Sequence, residues 1–89
     1  MESKWLQFDG PLALKDPKAK TQAWVVVNKV SGVLLGYVRW FSNWRQYCFE
    51  PVPNTIYAPS CMDDISRFCT EQTAKHRTEQ KAKKAAEKV

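Results

Sequence analysis

Six of the eleven aromatic residues of this 89-residue chain fall in one short stretch, from Gly32 to Phe49. These six residues are Tyr37, Trp40, Phe41, Trp44, Tyr47 and Phe49, and only two charged residues, Arg39 and Arg45, interrupt them. Aromatic rings bury more apolar area per residue than other side chains, so the chain must collapse around this central block.

A chain of this length forms one domain, which buries about two-thirds of its unfolded surface. Composition divides it into three segments. Residues 1–21 form an N-terminal arm followed by a mobile polar loop over Lys15 to Thr21, and residues 22–70 form a core β-sheet with the start of a helix. Residues 71–89 form a basic helical extension or tail.

The strand signals lie in the first two segments. Trp5, Leu6 and Phe8 predict a short edge strand or a tacked-down arm within residues 1–8, since a free tail rarely carries so many apolar groups. Gln22 to Lys29 contains three consecutive valines, which favour a pleated strand. Gly32 can take a positive φ in the loop that follows, and Val33 to Phe41 then pairs antiparallel.

A third predicted strand runs from Arg45 to Glu50, after a turn at Ser42-Asn43. Pro51 ends it because proline cannot donate a ladder hydrogen bond. Residues 54–57 form either a brief further strand or an extended crossing, and the sequence leaves both open.

A helix is predicted to open at Pro59-Ser60, where the Ser60 hydroxyl can cap the free amides, with Asp63 and Asp64 in its first turn. Its apolar stripe consists of Cys61, Met62, Ile65, Phe68 and Cys69 and is predicted to stop there. A helix continuing to Lys88 is about 42 Å long, so its last turns must overhang a compact domain or fray. The predicted fold is α+β, a three- to four-stranded antiparallel β meander with one long C-terminal α-helix packed on one face.

One helix covers only one face of such a sheet, so the other face is available to a partner. If the uncovered face carries the rings and arginines of the central block, it is an aromatic and basic platform made of Tyr37, Arg39, Arg45, Tyr47 and Phe49. Three uses fit that platform: stacking of single-stranded bases, binding of a protein partner, or a homodimer seam. The rings could equally be ordinary core.

The basic helix is the second candidate surface. The net charge is +5, and residues 70–89 supply +3 of it. The predicted cationic positions are Lys75, Arg77, Lys81, Lys83 and Lys84. They could lie along phosphates or against a partner helix, or form a solvated and frayed tail.

Few residues are candidates for metal binding or catalysis. His76 lies on nearly the same helical line as Cys61 and Cys69, but ligands spread along more than about 20 Å of helix cannot meet at one ion. Asp63 and Asp64 are adjacent and diverge, and no nucleophile, base and orienting group share a spacing. We therefore expect no catalytic residue, no metal site, no cofactor and no enzymatic activity.

The cellular compartment is predicted from the apolar segments and the cysteines of the sequence. It contains no apolar run of the roughly 20 residues that cross a bilayer, and Met1 to Trp5 does not read as a secretory signal. Three cysteines without a C-x-x-C spacing fit a reducing compartment. These features predict a cytoplasmic protein without a membrane partner.

The segment LGYVRWFSNWRQYCFEP, Leu35 to Pro51, is followed by Asn54 to Tyr57, Cys61 and Asp64-Ile65. In these features the chain resembles a group of short uncharacterised proteins encoded by bacteriophages and prophages, which share a "WRQY-aromatic" block. Glu50 stands where that pattern places a second aromatic residue. This indicates that the strand face carrying Gln46, Cys48 and Glu50 is more exposed to solvent here.

The resemblance implies a phage accessory gene, and small phage accessory proteins commonly act by binding. We therefore expect a non-enzymatic protein that binds a host protein or protein complex, as an inhibitor or anti-defence factor in the host cytoplasm. The alternative is a protein that binds single-stranded or duplex nucleic acid, and a third hypothesis is a homodimeric structural module.

Overall fold

The computed structural model describes residues 3–12 and 21–87, with side chains up to Lys81. In these ranges the chain forms four strands and one helix. The elements are β1 (Leu6–Asp9), β2 (Ala23–Asn28), β3 (Leu34–Phe41), β4 (Gln46–Pro51) and α1 (Pro59–Glu87). The strands form one antiparallel sheet in chain order, with β1 and β4 at its edges. The predicted fold class is confirmed.

The N-terminal segment is an edge strand. Leu6 pairs with Asn28 of β2 and is buried. The buried Ser3 hydroxyl accepts a hydrogen bond from the Leu6 amide and donates one to the Asp64 carboxylate at 2.6 Å, which ties this segment to the helix. The mobile loop predicted over Lys15 to Thr21 lies, apart from its last residue, outside the described residues.

The hairpin between β2 and β3 carries the predicted glycine and an irregularity that was not predicted. Gly32 has φ 75°, a conformation that glycine adopts without strain. Val26 pairs with Gly36 while the next residue, Val27, pairs with Leu34, so Leu35 is an extra residue in β3. This bulge turns the Leu35 side chain toward the helix, where it is buried.

The helix starts where it was predicted to, but its capping differs from the prediction. It begins at Pro59, and the Met62 amide donates to the Ala58 carbonyl at 3.1 Å, so Ser60 is not the cap. Proline suits the first helical position because its missing N–H is not needed there. Neither Asp63 nor Asp64 then lies in the first turn. Residues 54–57, left open by the sequence, form no strand: Asn54 lies in a turn with φ 63°, and residues 55–57 cross to the helix without strand pairing.

The helix contacts the sheet further along than its apolar stripe predicts. Thr73 is buried, and its hydroxyl accepts a hydrogen bond from the Tyr47 amide at 3.0 Å. The His76 ring lies 4.5 Å from that of Trp40. The buried stripe therefore continues past Cys69, through polar residues that have specific partners on β3 and β4.

The core is a connected set of rings between the sheet and α1. Phe8 stacks on Phe68 at 4.2 Å, and Trp24 meets Phe68 and Tyr47 edge-on at 5.2 and 5.3 Å. Trp40 in turn meets Tyr47 edge-on at 5.3 Å. Each such pair stabilises the fold by about 0.5 to 1.5 kcal/mol beyond its buried area.

The molecule measures 50 × 26 × 24 Å. Its long dimension follows α1, whose 29 residues span about 43 Å. In the part of the chain that the structure describes, no helix has the length and apolar character that crossing a membrane requires.

Candidate functional site

The strand register assigns each side chain to one of two faces, because directly opposed residues in antiparallel strands point the same way. Trp24 opposes Val38, and Trp40 opposes Tyr47, all on the side that α1 covers. We call the other side the bare face. It carries Gln7, Asp9, Ala23, Val25, Val27, Leu34, Tyr37, Arg39, Phe41, Gln46, Cys48 and Glu50.

Two residues of the predicted platform lie on the covered side instead. Tyr47 is 4% exposed, and its hydroxyl accepts a hydrogen bond from the Gln22 amide at 3.0 Å. Phe49 is half-buried and meets Tyr57 edge-on at 5.4 Å. The prediction that the five residues share one uncovered face is therefore wrong. Tyr37 and Arg39 lie opposite Glu50 and Cys48, so Tyr47 and Phe49 point to the other side of the sheet.

Arg45 belongs to neither face. It is the last residue of the turn between β3 and β4 and has φ 52°. Its carbonyl accepts a hydrogen bond from the Arg77 guanidinium at 3.3 Å. The turn and the helix thus bring together one arginine from each predicted surface, at one end of β4.

Tyr37 and Arg39 do lie on the bare face. The Arg39 guanidinium donates two hydrogen bonds to the Glu50 carboxylate, one of them at 3.1 Å, and lies 6.0 Å from the Tyr37 ring. The hydrogen bond and charge of Glu50 raise the pKa of Arg39 above its ordinary value. Glu50 is exposed, and its pairing neutralises the arginine at the centre of this face.

The bare face also carries apolar groups that the prediction did not select. Phe41 is 39% exposed and Leu34 is 37% exposed, beside the half-buried Val25 and Val27. Trp44, in the turn that follows β3, is 67% exposed and packs on Phe41 at a ring distance of 4.9 Å. The alternation of Phe41 with Tyr37 was a signal for this face.

A groove separates the outer edge of β4 from α1. Its volume is about 640 Å³. The residues that line it are Trp44, Gln46, Tyr47, Cys48, Phe49, Pro51, Tyr57, Met62, Ile65, Ser66, Cys69, Thr70, Thr73, Ala74 and Arg77. Arg77 is the one charged residue among these described lining residues. Lys75 and Lys81 are exposed and are not among them, and the side chains of Lys83 and Lys84 lie outside the described residues.

All three cysteines are unpaired. Burial raises the pKa of the Cys69 thiol to about 11, with a smaller contribution from the charge of Cys48. Burial also raises the pKa of Cys48. Among the described residues, no three acidic, histidine or cysteine side chains form a group suited to a metal ion.

Comparison with known proteins gives one informative match. The chain is 30% identical over 69 residues to the "Uncharacterized 9.3 kDa protein" of Acholeplasma phage L2, and the match covers 78% of this chain and 85% of that protein. Neither a family model nor a solved structure matches. The matched length covers most of both proteins, so the chain belongs to a family of small phage-encoded proteins that includes the 9.3 kDa protein of Acholeplasma phage L2.

Proposed function

We propose that this chain is a non-enzymatic phage accessory protein that acts in the host cytoplasm by binding a host protein, such as a subunit of a defence complex. The observation that carries the proposal is the bare face, a sheet surface with exposed aromatic and aliphatic side chains that α1 leaves uncovered. Membership of a phage family supports a role in the infected cell.

The composition of the bare face suits a protein partner. Tyr37, Phe41 and the adjoining Trp44 are residue types that dominate binding energy at protein interfaces. Leu34 and Phe41 are more than one-third exposed, although each is large and apolar. A partner that covers them removes apolar area from water, which contributes about 25 cal/mol per Å².

The charge of the bare face favours a protein over a nucleic acid. Binding a phosphate backbone depends on unpaired cations. Arg39, at the centre of this face, is already paired with Glu50, whose carboxylate repels phosphates. Apolar side chains on either side of a mutually neutralised ion pair instead suit a protein partner.

The experiment compares three tagged forms of the chain in capture from host lysate: wild type, Tyr37→Ser with Phe41→Ser, and Ile56→Ser. Ile56 is 94% exposed and lies outside the sheet, so its variant controls for the loss of an exposed apolar group. We expect wild type and Ile56→Ser to retain a host protein that the double variant does not, and the purified host protein to reproduce this pattern in direct titration.

Two other outcomes have distinct signatures. Binding to single-stranded DNA through about four phosphates gives log K against log salt a slope near −3 and favours the nucleic-acid alternative. A dimer mass in light scattering that reverts to the monomer in the double variant favours a second copy on the bare face. Either result, or the same captured proteins with all three forms, contradicts the proposal.

A further inference from the structure

The outer edge of β4 has hydrogen-bonding groups that face the groove. The Tyr47 amide points outward to Thr73, whereas the Val52 amide donates inward to the Leu35 carbonyl at 2.9 Å. Backbone groups in an antiparallel strand alternate between its two sides. The amide and carbonyl of Phe49, and the carbonyls of Tyr47 and Pro51, therefore point outward.

At both ends of this edge the outward amide is unavailable, although the outward carbonyl is not. The Thr73 hydroxyl occupies the Tyr47 amide, and Pro51 has no amide hydrogen. Phe49 is thus the one β4 residue that offers both an outward donor and an outward acceptor. Beside it lies the groove, which has a volume in the range of ligand sites.

We propose that this groove binds an extended peptide segment that adds a strand antiparallel to β4. The segment has an apolar side chain opposite Phe49 and an acidic side chain two residues later. The site differs from the bare face, because it uses the edge of the sheet and the flank of α1; Trp44 and Cys48 border both surfaces.

Pairing on the β4 edge determines the register of the added segment. A peptide residue opposite Phe49 exchanges two hydrogen bonds with it. The peptide amide two residues earlier donates to the Pro51 carbonyl, and the amide two residues later donates to the Tyr47 carbonyl. The bound peptide therefore gains four main-chain hydrogen bonds. Main-chain pairing of this kind supplies affinity at exposed sheet edges, and side-chain pockets supply specificity.

The groove lining determines the side-chain preference. A peptide side chain opposite Phe49 lies on the same side as that ring and enters the groove toward Met62 and Cys69, which favour an apolar group. Two residues later the peptide lies opposite Tyr47, at the end of the groove where Arg77 is held by the Arg45 carbonyl. An acidic side chain there meets a positive charge.

The same edge is poorly suited to a second copy of the chain. In a two-fold pair centred on Phe49, Tyr47 of one copy opposes Pro51 of the other. The Tyr47 amide is already bound to Thr73, and Pro51 has no amide hydrogen. Tyr47 and Pro51 of the two copies therefore form no hydrogen bond with each other. Such a pair gains two main-chain hydrogen bonds where a peptide gains four.

The test uses the full chain, isotope-labelled, and the hexapeptide Thr-Val-Ile-Val-Glu-Thr, acetylated and amidated at its ends. Titration followed by NMR is expected to shift the Phe49 amide saturably and to slow its hydrogen exchange. A peptide that is N-methylated at isoleucine loses the hydrogen bond to the Phe49 carbonyl and is expected to bind about tenfold more weakly. A peptide with lysine in place of glutamate is expected to bind about threefold more weakly.

Variants of the protein test the acidic preference. Arg77→Glu is expected to bind the lysine peptide better than the glutamate peptide, whereas Lys81→Glu, exposed and outside the groove, keeps the original order. Tyr37→Ser alone, which alters the bare face at a residue that does not line the groove, is expected to bind the peptide as wild type does, and this separates the two sites.

Three results overturn the proposal. The first is no saturable shift of Phe49 at millimolar peptide, and the second is equal affinity for the N-methylated peptide. The third is exchange at Phe49 that slows with protein concentration while the mass doubles, which assigns the edge to a second copy.

Discussion

Gly36 lies in β3 opposite Pro51, where the neighbouring strand comes unusually close. A Cβ atom at this position would lie 2.7 Å from a carbon of the Phe49 ring and would press on the Glu50 carbonyl. Real Cβ atoms do not approach other atoms so closely, so the packing of Phe49 against β3 depends on glycine.

We expect Gly36→Ala to lower the free energy of unfolding by about 1 to 3 kcal/mol, since overpacking forces ring and strand apart. Urea denaturation measures this change. Gly32→Asn is the control, because asparagine tolerates the positive φ of Gly32 and no atom lies within 4 Å of a Cβ there. Equal losses in the two variants would contradict the packing argument.

Cys69 makes stability depend on pH in the alkaline range. Burial raises its pKa from 9.0 to about 11, so the folded state holds the thiol proton more tightly than the unfolded state does. This contribution to stability is complete below about pH 9 and is lost as pH rises to about 11.

The free energy of unfolding is therefore expected to fall over that range, as measured by denaturant titrations at several pH values. Tyr47 and Cys48, whose pKa values are also raised, contribute in the same direction. Cys69→Ala should give a shallower decline than wild type. An identical decline in the two proteins would remove Cys69 as a cause.

At the scale of single residues, the sequence predicted the alternation of β4, and of β3 beyond the bulge at Leu35, but not which faces of the two strands lie on the same side of the sheet. Tyr37 opposes Glu50, so Tyr47 and Phe49 face the other way. A shift of one residue in register moves every side chain of a strand to the opposite face. The register here follows from a turn over residues 42–45 that ends with Arg45 at positive φ, and arginine gives no sequence signal for that conformation.

Among the elements, α1 is anchored to β4 by a hydroxyl that has two roles. Thr73 accepts from the Tyr47 amide and donates to the Cys69 carbonyl at 2.8 Å. Thr78, on the same helix, donates to the Ala74 carbonyl at 3.0 Å in the same way but is exposed. The two threonines differ in their contact with the sheet.

Thr73→Val is expected to lower the free energy of unfolding by about 1 to 3 kcal/mol, because it leaves the Tyr47 amide without its acceptor. Thr78→Val is expected to change it by less than about 0.5 kcal/mol. Denaturation of both variants, with hydrogen exchange at Tyr47, checks this. A Thr78→Val loss as large as that of Thr73→Val would mean that the bond to the sheet contributes nothing.

The order and type of the elements could be predicted from the sequence, because each carries a local signal. Consecutive valines gave β2, and the Ala, Glu and Lys content gave a long helix. Pro51 was predicted to lie beyond its strand but is the last residue of β4, because its missing N–H falls on the outer edge of the sheet. The extent of the helix contact could not be predicted. Thr73 and His76 are polar, and each is held in the stripe by one specific partner, which apolar periodicity does not reveal.

At the scale of the whole molecule, the packed rings and the bare face lie on opposite sides of one sheet. Tyr37 and Phe41 contribute mainly to the surface, whereas Tyr47 contacts Trp24, Trp40 and the helix. The sequence predicted that one helix leaves a face uncovered, because that conclusion depends only on element count. It could not predict which rings the helix covers.

The Tyr37→Ser with Phe41→Ser variant is therefore expected to keep its free energy of unfolding within about 1 kcal/mol of wild type. Tyr47→Ala is expected to lose about 3 to 5 kcal/mol, as other large core truncations do. Thermal and urea denaturation measure both. A large loss in the surface variant would show that the bare face supports the fold.

A layer covered on one side gives alternate positions of the same strand different evolutionary constraints. In β3, Val38 must fit the interior in every descendant of this gene, whereas its neighbours Tyr37 and Arg39 are restrained chiefly by whatever they touch outside. If the bare face binds a host protein, as proposed, a phage lineage can replace the outward residues of the sheet as that protein changes and still keep a folded chain. Substitutions between members of this family are therefore expected to concentrate at alternate strand positions, those whose side chains lie on the bare face.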